Sequence, residues 1–211
     1  MSYLDTINYM FSGIIQEIGT VKNLESKNGL LELIISSERL INDFKIGSSI
    51  AVNGCCQTIV EKSKNSFKVQ ATEETLKKTN FLNLKVGSKV NLEPSLKLGE
   101  TIDGHLVSGH VDITGEISNI KTLAENTTVK ILYDKEYGKY IAPKGSIAVN
   151  GVSLTVINSK NNEFDFTLIP FTLDNTNLGL IKTGDLVNLE VDLISRYIVN
   201  YIESKKEEVK I

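Results

Sequence analysis

The chain has 211 residues, of which 41% are hydrophobic and 23% are charged, and its formal net charge at pH 7 is −3. This composition is typical of a soluble globular protein and argues against a nucleic-acid partner, which would need clustered basic residues. No apolar run is long enough to cross a bilayer, and the first residues lack the pattern of a secretory signal. The cysteines, Cys55 and Cys56, are neighbours that would bridge only with strain, so reduced thiols and a cytoplasmic location are expected.

The first hundred residues predict short strands separated by turns. Apolar segments between residues 14 and 35 are interrupted at residues 27–29, where Asn-Gly is a hairpin signal. The polar residues 36–39 predict the start of a short helix. Further strands are predicted at residues 50–52, 58–60, 67–71 and 90–93, with a tight turn at residues 53–54 and a helical turn at residues 73–78.

A long internal repeat organises the chain. The sequence Ser-Ile-Ala-Val-Asn-Gly occurs at residues 49–54 and again at residues 146–151, and residues 90–93 recur as residues 187–190. A period this long predicts two domains of about a hundred residues each. We expect an all-β fold of two tandem antiparallel Greek-key barrels related by a pseudo-twofold duplication, with a β-sandwich as the alternative.

The end of the chain has a different period. Ile194, Tyr197, Ile198, Tyr201 and Ile202 recur at three- and four-residue spacing, which predicts an amphipathic C-terminal helix. Its narrow apolar stripe packs either on its own barrel or on a partner subunit. The expected division is therefore an N-terminal barrel at residues 10–103, a C-terminal barrel at residues 104–192 and an oligomerisation helix at residues 193–206.

Polar residues recur between the two copies as faithfully as the apolar ones. Asn53, Thr58, Thr75, Thr79 and Asn80 all keep their identity in the second copy. One interpretation of this recurrence is recent common ancestry or shared turn geometry, since asparagine tolerates left-handed backbone conformations. The alternative is a hydrogen-bonding set for a flat polar ligand, present twice.

At some equivalent positions the two copies differ, and one copy has a reactive side chain where the other has an unreactive or less reactive one. Residues 55–57, Cys-Cys-Gln, stand against residues 152–154, Val-Ser-Leu; His110 stands opposite Ile14, and Asp192 opposite Ser95. Two pockets that bind alike but perform different chemistry would show this asymmetry.

Both histidines of the chain lie in the motif Gly-His-Leu-Val-Ser-Gly-His at residues 104–110. Residues five apart point to opposite faces of a regular strand, and adjacent cysteines lack zinc-site spacing, so no metal site is predicted. A histidine suits general acid or base catalysis. A structural role at the domain junction is the alternative for His105.

Five segments together resemble the riboflavin synthase alpha chain family of the lumazine-protein superfamily: residues 10–15, 52–58, 104–110, 151–156 and 168–173. The resemblance implies a transferase that dismutates two molecules of 6,7-dimethyl-8-ribityllumazine into riboflavin and 5-amino-6-ribitylaminouracil by four-carbon transfer, with no cofactor. It also implies a homotrimer held by the C-terminal helices, active sites between neighbouring subunits, and association with a lumazine synthase. A non-catalytic lumazine or flavin carrier is the alternative within the same superfamily.

The resemblance also implies site residues. For the chemistry we expect proton transfer by His110, polarisation of or addition to the acceptor ring by Ser49 and Cys56, and orientation of Ser49 by Asp192. Expected in the first pocket are Gly13, Ile14, Ile15, Cys56, Gln57, Thr58, Gln70, Ala71, Thr72, Glu73, Glu74, Thr75, Gly109, His110 and Val111. Expected in the second pocket are Lys144, Ser153, Leu154, Thr155, Ile169, Pro170, Phe171, Thr172, Leu173 and Asp174.

Three of these positions depart from the family pattern. Gln57 stands where leucine is usual, Gln70 where aspartate is common, and Phe171 where glutamate or histidine is common. An amide such as that of Gln70 can hydrogen-bond a ligand but cannot act as a base. Phe171 is expected to stack on a ligand or to fill space against a pocket.

Overall fold

A computed structural model describes residues 10–27, 29–124 and 126–208, with residues 207 and 208 described by their backbone alone. Within these ranges the fold is mostly β, and no helix combines the length and apolar character needed to span a membrane.

The first copy is a closed antiparallel barrel with the strand order β1-β2-β5-β4-β3-β6. Alternating apolar side chains such as Leu33 and Ile35 point inwards, where they pack around Phe67 and Phe81. Strands β3, β4 and β5 are joined consecutively and β2 lies beside β5, which is a Greek-key arrangement. The strands are β1 (Glu17–Lys27), β2 (Leu30–Ser36), β3 (Ser49–Val52), β4 (Cys55–Lys62), β5 (Ser66–Ala71) and β6 (Lys89–Pro94).

The second copy is a curled sheet with the strand order β10-β9-β13-β7-β8-β12-β11 around its own core. Its two outer strands, β10 and β11, follow one another in the chain and correspond to the two parts of β4. The predicted all-β fold of two antiparallel repeats is therefore confirmed. The strands are β7 (Ile113–Leu123), β8 (Asn126–Leu132), β9 (Ser146–Val149), β10 (Val152–Thr155), β11 (Asn158–Lys160), β12 (Glu163–Leu168) and β13 (Leu186–Val191).

Short helices connect the strands at equivalent places in the two copies. Helix α1 (Glu73–Lys78) confirms the predicted helical turn, and α2 (Pro170–Asn175) is its counterpart. The helix predicted from residues 36–39 is wrong, because Ser36 ends β2 and residues 38–43 form bends and turns. The Glu17 carboxylate accepts the backbone N–H groups of Glu38 and Leu40, so a helix is not needed to satisfy them. In the described part of the chain, 3₁₀ helices lie at Asn80–Asn83, Lys135–Tyr140 and Asn177–Leu180.

The repeated turns of the two copies meet at the junction between them. Asn53 and Gly54 have φ angles of 46° and 77°, which is the left-handed geometry of a tight hairpin turn, and the predicted turn is confirmed. A Cβ atom on Gly54 would lie 2.6 Å from the backbone nitrogen of Gly151, and one on Gly151 would lie 2.7 Å from that of Gly54. Glycine is required in both turns because the two backbones stack directly on each other.

A network of buried asparagines surrounds the stacked turns. Asn91 accepts the backbone N–H of Asn177 at 2.7 Å and donates to the carbonyl of Asn150 at 2.9 Å. The equivalent Asn188 accepts the N–H of Asn80 at 2.7 Å and donates to the carbonyl of Asn53 at 2.9 Å. The junction of the two copies thus accounts for the recurrence of Asn53 and Asn80.

Two segments cross between the copies near this junction. Phe11 and Val107 pair their backbones in both directions, at 2.8 and 3.1 Å. Just beyond them, Ile15 packs against the core of the second copy, whereas Val111 packs against the core of the first. We call residues 11–15 and 107–111 the crossing segments, because each contributes a side chain to the core of the opposite copy.

Helix α3 (Leu193–Glu208) confirms the predicted amphipathic helix. Arg196 and Glu203 join it to the second copy through ion pairs with Asp112 and Lys139. Packing of the stripe on its own barrel is contradicted, because its five predicted side chains are between 46% and 68% exposed: Ile194, Tyr197, Ile198, Tyr201 and Ile202.

Candidate active site

Each crossing segment is fixed by a buried glutamate from the repeated strand. The Glu93 carboxylate accepts the N–H and hydroxyl of Ser12 at 2.7 and 2.9 Å, together with the N–H of Gly13. The Glu190 carboxylate binds Ser108 and Gly109 in the same way. Burial raises the pKa of Glu93 to about 7 and also raises the pKa of Glu190, although the hydrogen-bond donors oppose both shifts.

The first candidate centre lies on the outer face of β4. The Cys56 N–H donates to the carbonyl of Gly109 at 2.8 Å, which brings His110 beside Cys56. Ser49 lies opposite Thr58 in the ladder, so its side chain shares the face of Thr58 and Cys56. The structure therefore brings together Ser49, Cys56, Thr58 and the segment that carries His110.

Burial raises the pKa of the Cys56 thiol, and a hydrogen bond with the Ser49 side chain opposes that rise only in part. A protonated thiol is a hydrogen-bond donor and a poor nucleophile. Of the two roles expected for Cys56, polarisation of a bound ring fits this environment better than addition to it.

The second candidate centre contains the other histidine. The Ser153 N–H donates to the carbonyl of Gly13 at 2.8 Å, and the Ser153 hydroxyl lies 2.7 Å from Nδ1 of His105. Burial lowers the pKa of His105, and the negative charge of Asp192 opposes this shift. A neutral imidazole in contact with a hydroxyl is able to accept a proton. The two histidines thus serve different centres.

A cleft of about 400 Å³ adjoins the second centre. Ile14 and Ile15 line it together with Phe171, Asp174 and Arg39. Gly13 and Ile15 were expected in the first pocket, but the crossing segment carries them to the second copy, where Gly13 binds Ser153 and Ile15 packs on the core. Phe171 is 71% exposed at the rim, where it can cover a ligand. Arg39 was not anticipated from the sequence, since a single arginine in a polar stretch has no distinguishing pattern.

Some predicted contact residues point into the cores. Gln57 lies opposite Ile50 and Ala71 opposite Leu31, so their side chains face the interior of the first barrel. The Gln57 amide donates to the Cys56 carbonyl at 2.8 Å, while its buried Oε1 has no hydrogen-bond partner. In the second copy, Leu154 and Leu173 pack against the core. Gln57 and Ala71 are buried and can meet a ligand only through their backbones, whereas Leu154 and Leu173 stay partly exposed.

Gln70 lies beside the carboxylate of Glu32 on the neighbouring strand. Its Nε2 donates to Oε1 of Glu32 at 2.7 Å across the β2–β5 ladder, and Lys68 lies 3.4 Å from the same carboxylate. Glu32 was missed because an outward-facing glutamate in an alternating strand resembles any solvated residue. Nearby, Thr72 caps helix α1 by accepting the N–H of Thr75 at 3.4 Å.

Asp192 has a local role in the described chain. Its Oδ1 accepts the N–H groups of Ile194 and Ser195 at 2.8 and 3.1 Å, which caps helix α3. No hydrogen bond joins it to Ser49 within this chain.

Among the described residues, no three His, Cys, Asp or Glu side chains are grouped so as to hold a metal ion. The predicted residues with exposed side chains are Ile14, Thr58, Thr72, Glu73, Glu74, His110, Lys144, Thr155, Ile169, Pro170, Phe171 and Asp174.

Comparison with known proteins agrees with the duplicated fold. The sequence model of the lumazine binding domain family matches the chain twice, over residues 12–95 and 108–192. LumP complexed with 6,7-dimethyl-8-(1'-D-ribityl) lumazine superposes with a TM-score of 0.79 at 25% identity, covering 86% of this chain and 98% of that one. LumP complexed with riboflavin gives 0.80 at 26% identity with the same coverage. The chain is a protein of two lumazine-binding domains.

Curated relatives identify one family within this class of lumazine-binding proteins. The riboflavin synthase of Actinobacillus pleuropneumoniae is 38% identical over 93% of this chain and 91% of its own length. That of Photobacterium phosphoreum is 39% identical over 95% and 93%, and that of Brucella abortus is 40% identical over 93% and 100%. The chain belongs to the riboflavin synthase family.

Proposed function

We propose that this protein is a riboflavin synthase that converts two molecules of 6,7-dimethyl-8-ribityllumazine into riboflavin and 5-amino-6-ribitylaminouracil. The observation that carries the proposal is the chemical difference between two equivalent centres. Cys56 beside Ser49 occupies one copy, and Ser153 against His105 occupies the other. A reaction between two identical molecules, one donor and one acceptor, needs two similar pockets with different reactive groups.

The division of labour follows from these environments. The Cys56 thiol and the Ser49 hydroxyl polarise one bound lumazine, while His110 next to them transfers a proton. The neutral His105 and Ser153 pair is a further acceptor for the proton that leaves the methyl group of the other molecule. Holding both molecules in register supplies much of the rate acceleration of a bimolecular step.

Assembly completes the proposal. The exposed stripe of helix α3 is covered by the same helix of neighbouring subunits in a homotrimer, with active sites between the N-terminal barrel of one subunit and the C-terminal barrel of the next. The two barrels and the helix divide as residues 10–103, 104–192 and 193–206. A cytoplasmic location and association with a lumazine synthase stay predictions from the sequence.

Truncation after Arg196 tests the assembly while leaving Arg196 itself in the chain. The shortened chain loses Tyr197, Ile198, Tyr201 and Ile202 and should sediment as a folded monomer without turnover. Lys206→Ala, on the polar part of the same helix, serves as the control and should remain assembled and active. An active monomer would contradict an active site between subunits.

The second candidate function is a lumazine or flavin carrier, which the superposition on LumP complexes favours. Incubation of the purified protein with the lumazine separates the two. The proposed enzyme forms riboflavin with continued turnover, whereas a carrier holds the lumazine tightly, changes its fluorescence and forms no product.

His110→Ala should lower kcat by about 100-fold, within the usual range for loss of general acid or base catalysis, and leave lumazine affinity nearly unchanged. Fluorescence titration and turnover on the same preparation give both quantities. An equal loss of affinity and turnover would mean that His110 only binds.

A further inference from the structure

The segment that carries His110 is held at both of its ends. At its start, Glu190 accepts the N–H groups of Ser108 and Gly109 at 2.7 and 2.9 Å. At its end, the Asp112 N–H donates to the carbonyl of Leu189 at 2.9 Å. The exposed imidazole of His110 lies between these two attachments, so its position depends on both.

Asp112 makes the second attachment strong. Only 8% of this residue is exposed, and its Oδ2 accepts the N–H of Val191 at 2.9 Å. Two nitrogens of Arg196 then bind the two carboxylate oxygens at 2.8 and 2.9 Å. Such a two-point pairing fixes direction as well as distance, which a lysine in place of arginine would not reproduce.

The other copy lacks this arrangement. Gln16 occupies the place of Asp112, because its N–H donates to the carbonyl of Leu92 at 3.0 Å as that of Asp112 does to Leu189. Among the described residues, its exposed side chain is hydrogen-bonded only to the carbonyl of Ile14, at 3.4 Å. Within the described chain, the Ile14 segment therefore has no ionic attachment at this place, while the His110 segment has one that comes from helix α3.

We propose that Arg196 is a positioning residue that fixes His110 through Asp112 and so connects helix α3 to proton transfer at the first centre. The inference rests on the proposed riboflavin synthase function. Removal of Arg196 weakens the attachment at the end of the segment, where only the hydrogen bonds of Asp112 with Leu189 and Val191 are left, and leaves the Asp112 charge buried without its ion-pair partner. A displacement of about 1 Å at a reacting group costs about 100-fold in rate.

The test compares Arg196→Met, Arg196→Lys and the double variant Asp112→Asn/Arg196→Met with the wild type in lumazine turnover, KM and sedimentation. We expect kcat to fall by about 10- to 100-fold in Arg196→Met, with KM changed by less than about threefold and the assembly intact. Arg196→Lys should recover part of kcat. The double variant, which carries no unpaired buried charge, should be no slower than Arg196→Met, because the two residues act as one unit.

Glu203→Gln is the matched control, since it removes a different ion pair of helix α3, with Lys139 at 2.6 Å, without touching the His110 segment. Its kcat should equal that of the wild type. A kcat within twofold of wild type in an assembled Arg196→Met or double variant would overturn the inference, as would equal losses in Glu203→Gln. If the wild type makes no riboflavin, the proposed function fails and this inference with it; an active wild type with unchanged variants overturns the inference alone.

Discussion

The substitution Asn91→Ala should strongly lower the free energy of unfolding of the protein. The side chain is fully buried and satisfies two backbone groups of the other copy, the N–H of Asn177 and the carbonyl of Asn150. An alanine leaves both groups buried without a partner. Asn188, its equivalent, satisfies the N–H of Asn80 and the carbonyl of Asn53 in the same way.

The magnitude follows from the two orphaned groups. Each buried polar group left without a partner costs about 1–3 kcal/mol, so Asn91→Ala should lower the free energy of unfolding by about 2–6 kcal/mol. The duplication makes a second, independent prediction: Asn188→Ala should give the same loss to within about 1 kcal/mol, since the geometry around the two residues is equivalent.

Urea unfolding followed by circular dichroism measures these changes. Asn119→Ala provides the control, because Asn119 is exposed on β7 and its substitution should shift stability by less than about 0.5 kcal/mol. A loss below about 1 kcal/mol for both Asn91→Ala and Asn188→Ala would refute the reasoning that these asparagines join the two copies.

Three further predictions concern single positions. Gln57→Leu should change the free energy of unfolding by less than about 1 kcal/mol, because it removes both a buried oxygen that has no partner among the described residues and the hydrogen bond to the Cys56 carbonyl; a loss above about 2 kcal/mol in urea unfolding would contradict this. Gly54→Ala should lower the free energy of unfolding by well over roughly 1 kcal/mol, because the new Cβ atom would meet the backbone of Gly151. Gly87→Ala is the control: Gly87 also has a positive φ but open surroundings, so its loss of roughly 1 kcal/mol measures the left-handed strain by itself. Equal losses in the two variants would disprove the close contact with Gly151. Burial places the pKa of Glu93 at about 7 against 4.5 unfolded, so its contribution to stability is present at low pH and is lost as the pH rises between these values. The stability of the wild type relative to Glu93→Gln should therefore fall by about 3 kcal/mol over this range in pH-dependent urea unfolding, and an increase would contradict the sign.

Local features of the fold were predictable because their causes are local. The tight turn at Asn53 and Gly54 follows from two residues that tolerate positive φ angles, and helix α3 follows from its apolar period. The division into two copies follows from the exact repeat at residues 49–54. The helix expected at residues 36–39 failed because a distant carboxylate, Glu17, satisfies that segment from another strand.

The candidate site was predictable in composition but not in grouping. Ser49 and Cys56 fall on one face through strand alternation, which the sequence contains. The exchange of residues 11–15 and 107–111 depends on how the two copies dock, and no local pattern records that docking. For the same reason the pairing of Gln70 with Glu32 and of Arg196 with Asp112 emerged only from the packed structure.

Two lumazine-binding copies with different reactive groups are proposed to dismutate one substrate. The amount of both products formed from 6,7-dimethyl-8-ribityllumazine by the purified protein, in the presence of a metal chelator, tests this most directly. We expect one riboflavin and one 5-amino-6-ribitylaminouracil for every two lumazines consumed, over many turnovers. Lumazine that stays bound and unchanged, or riboflavin without the matching pyrimidine, would contradict it.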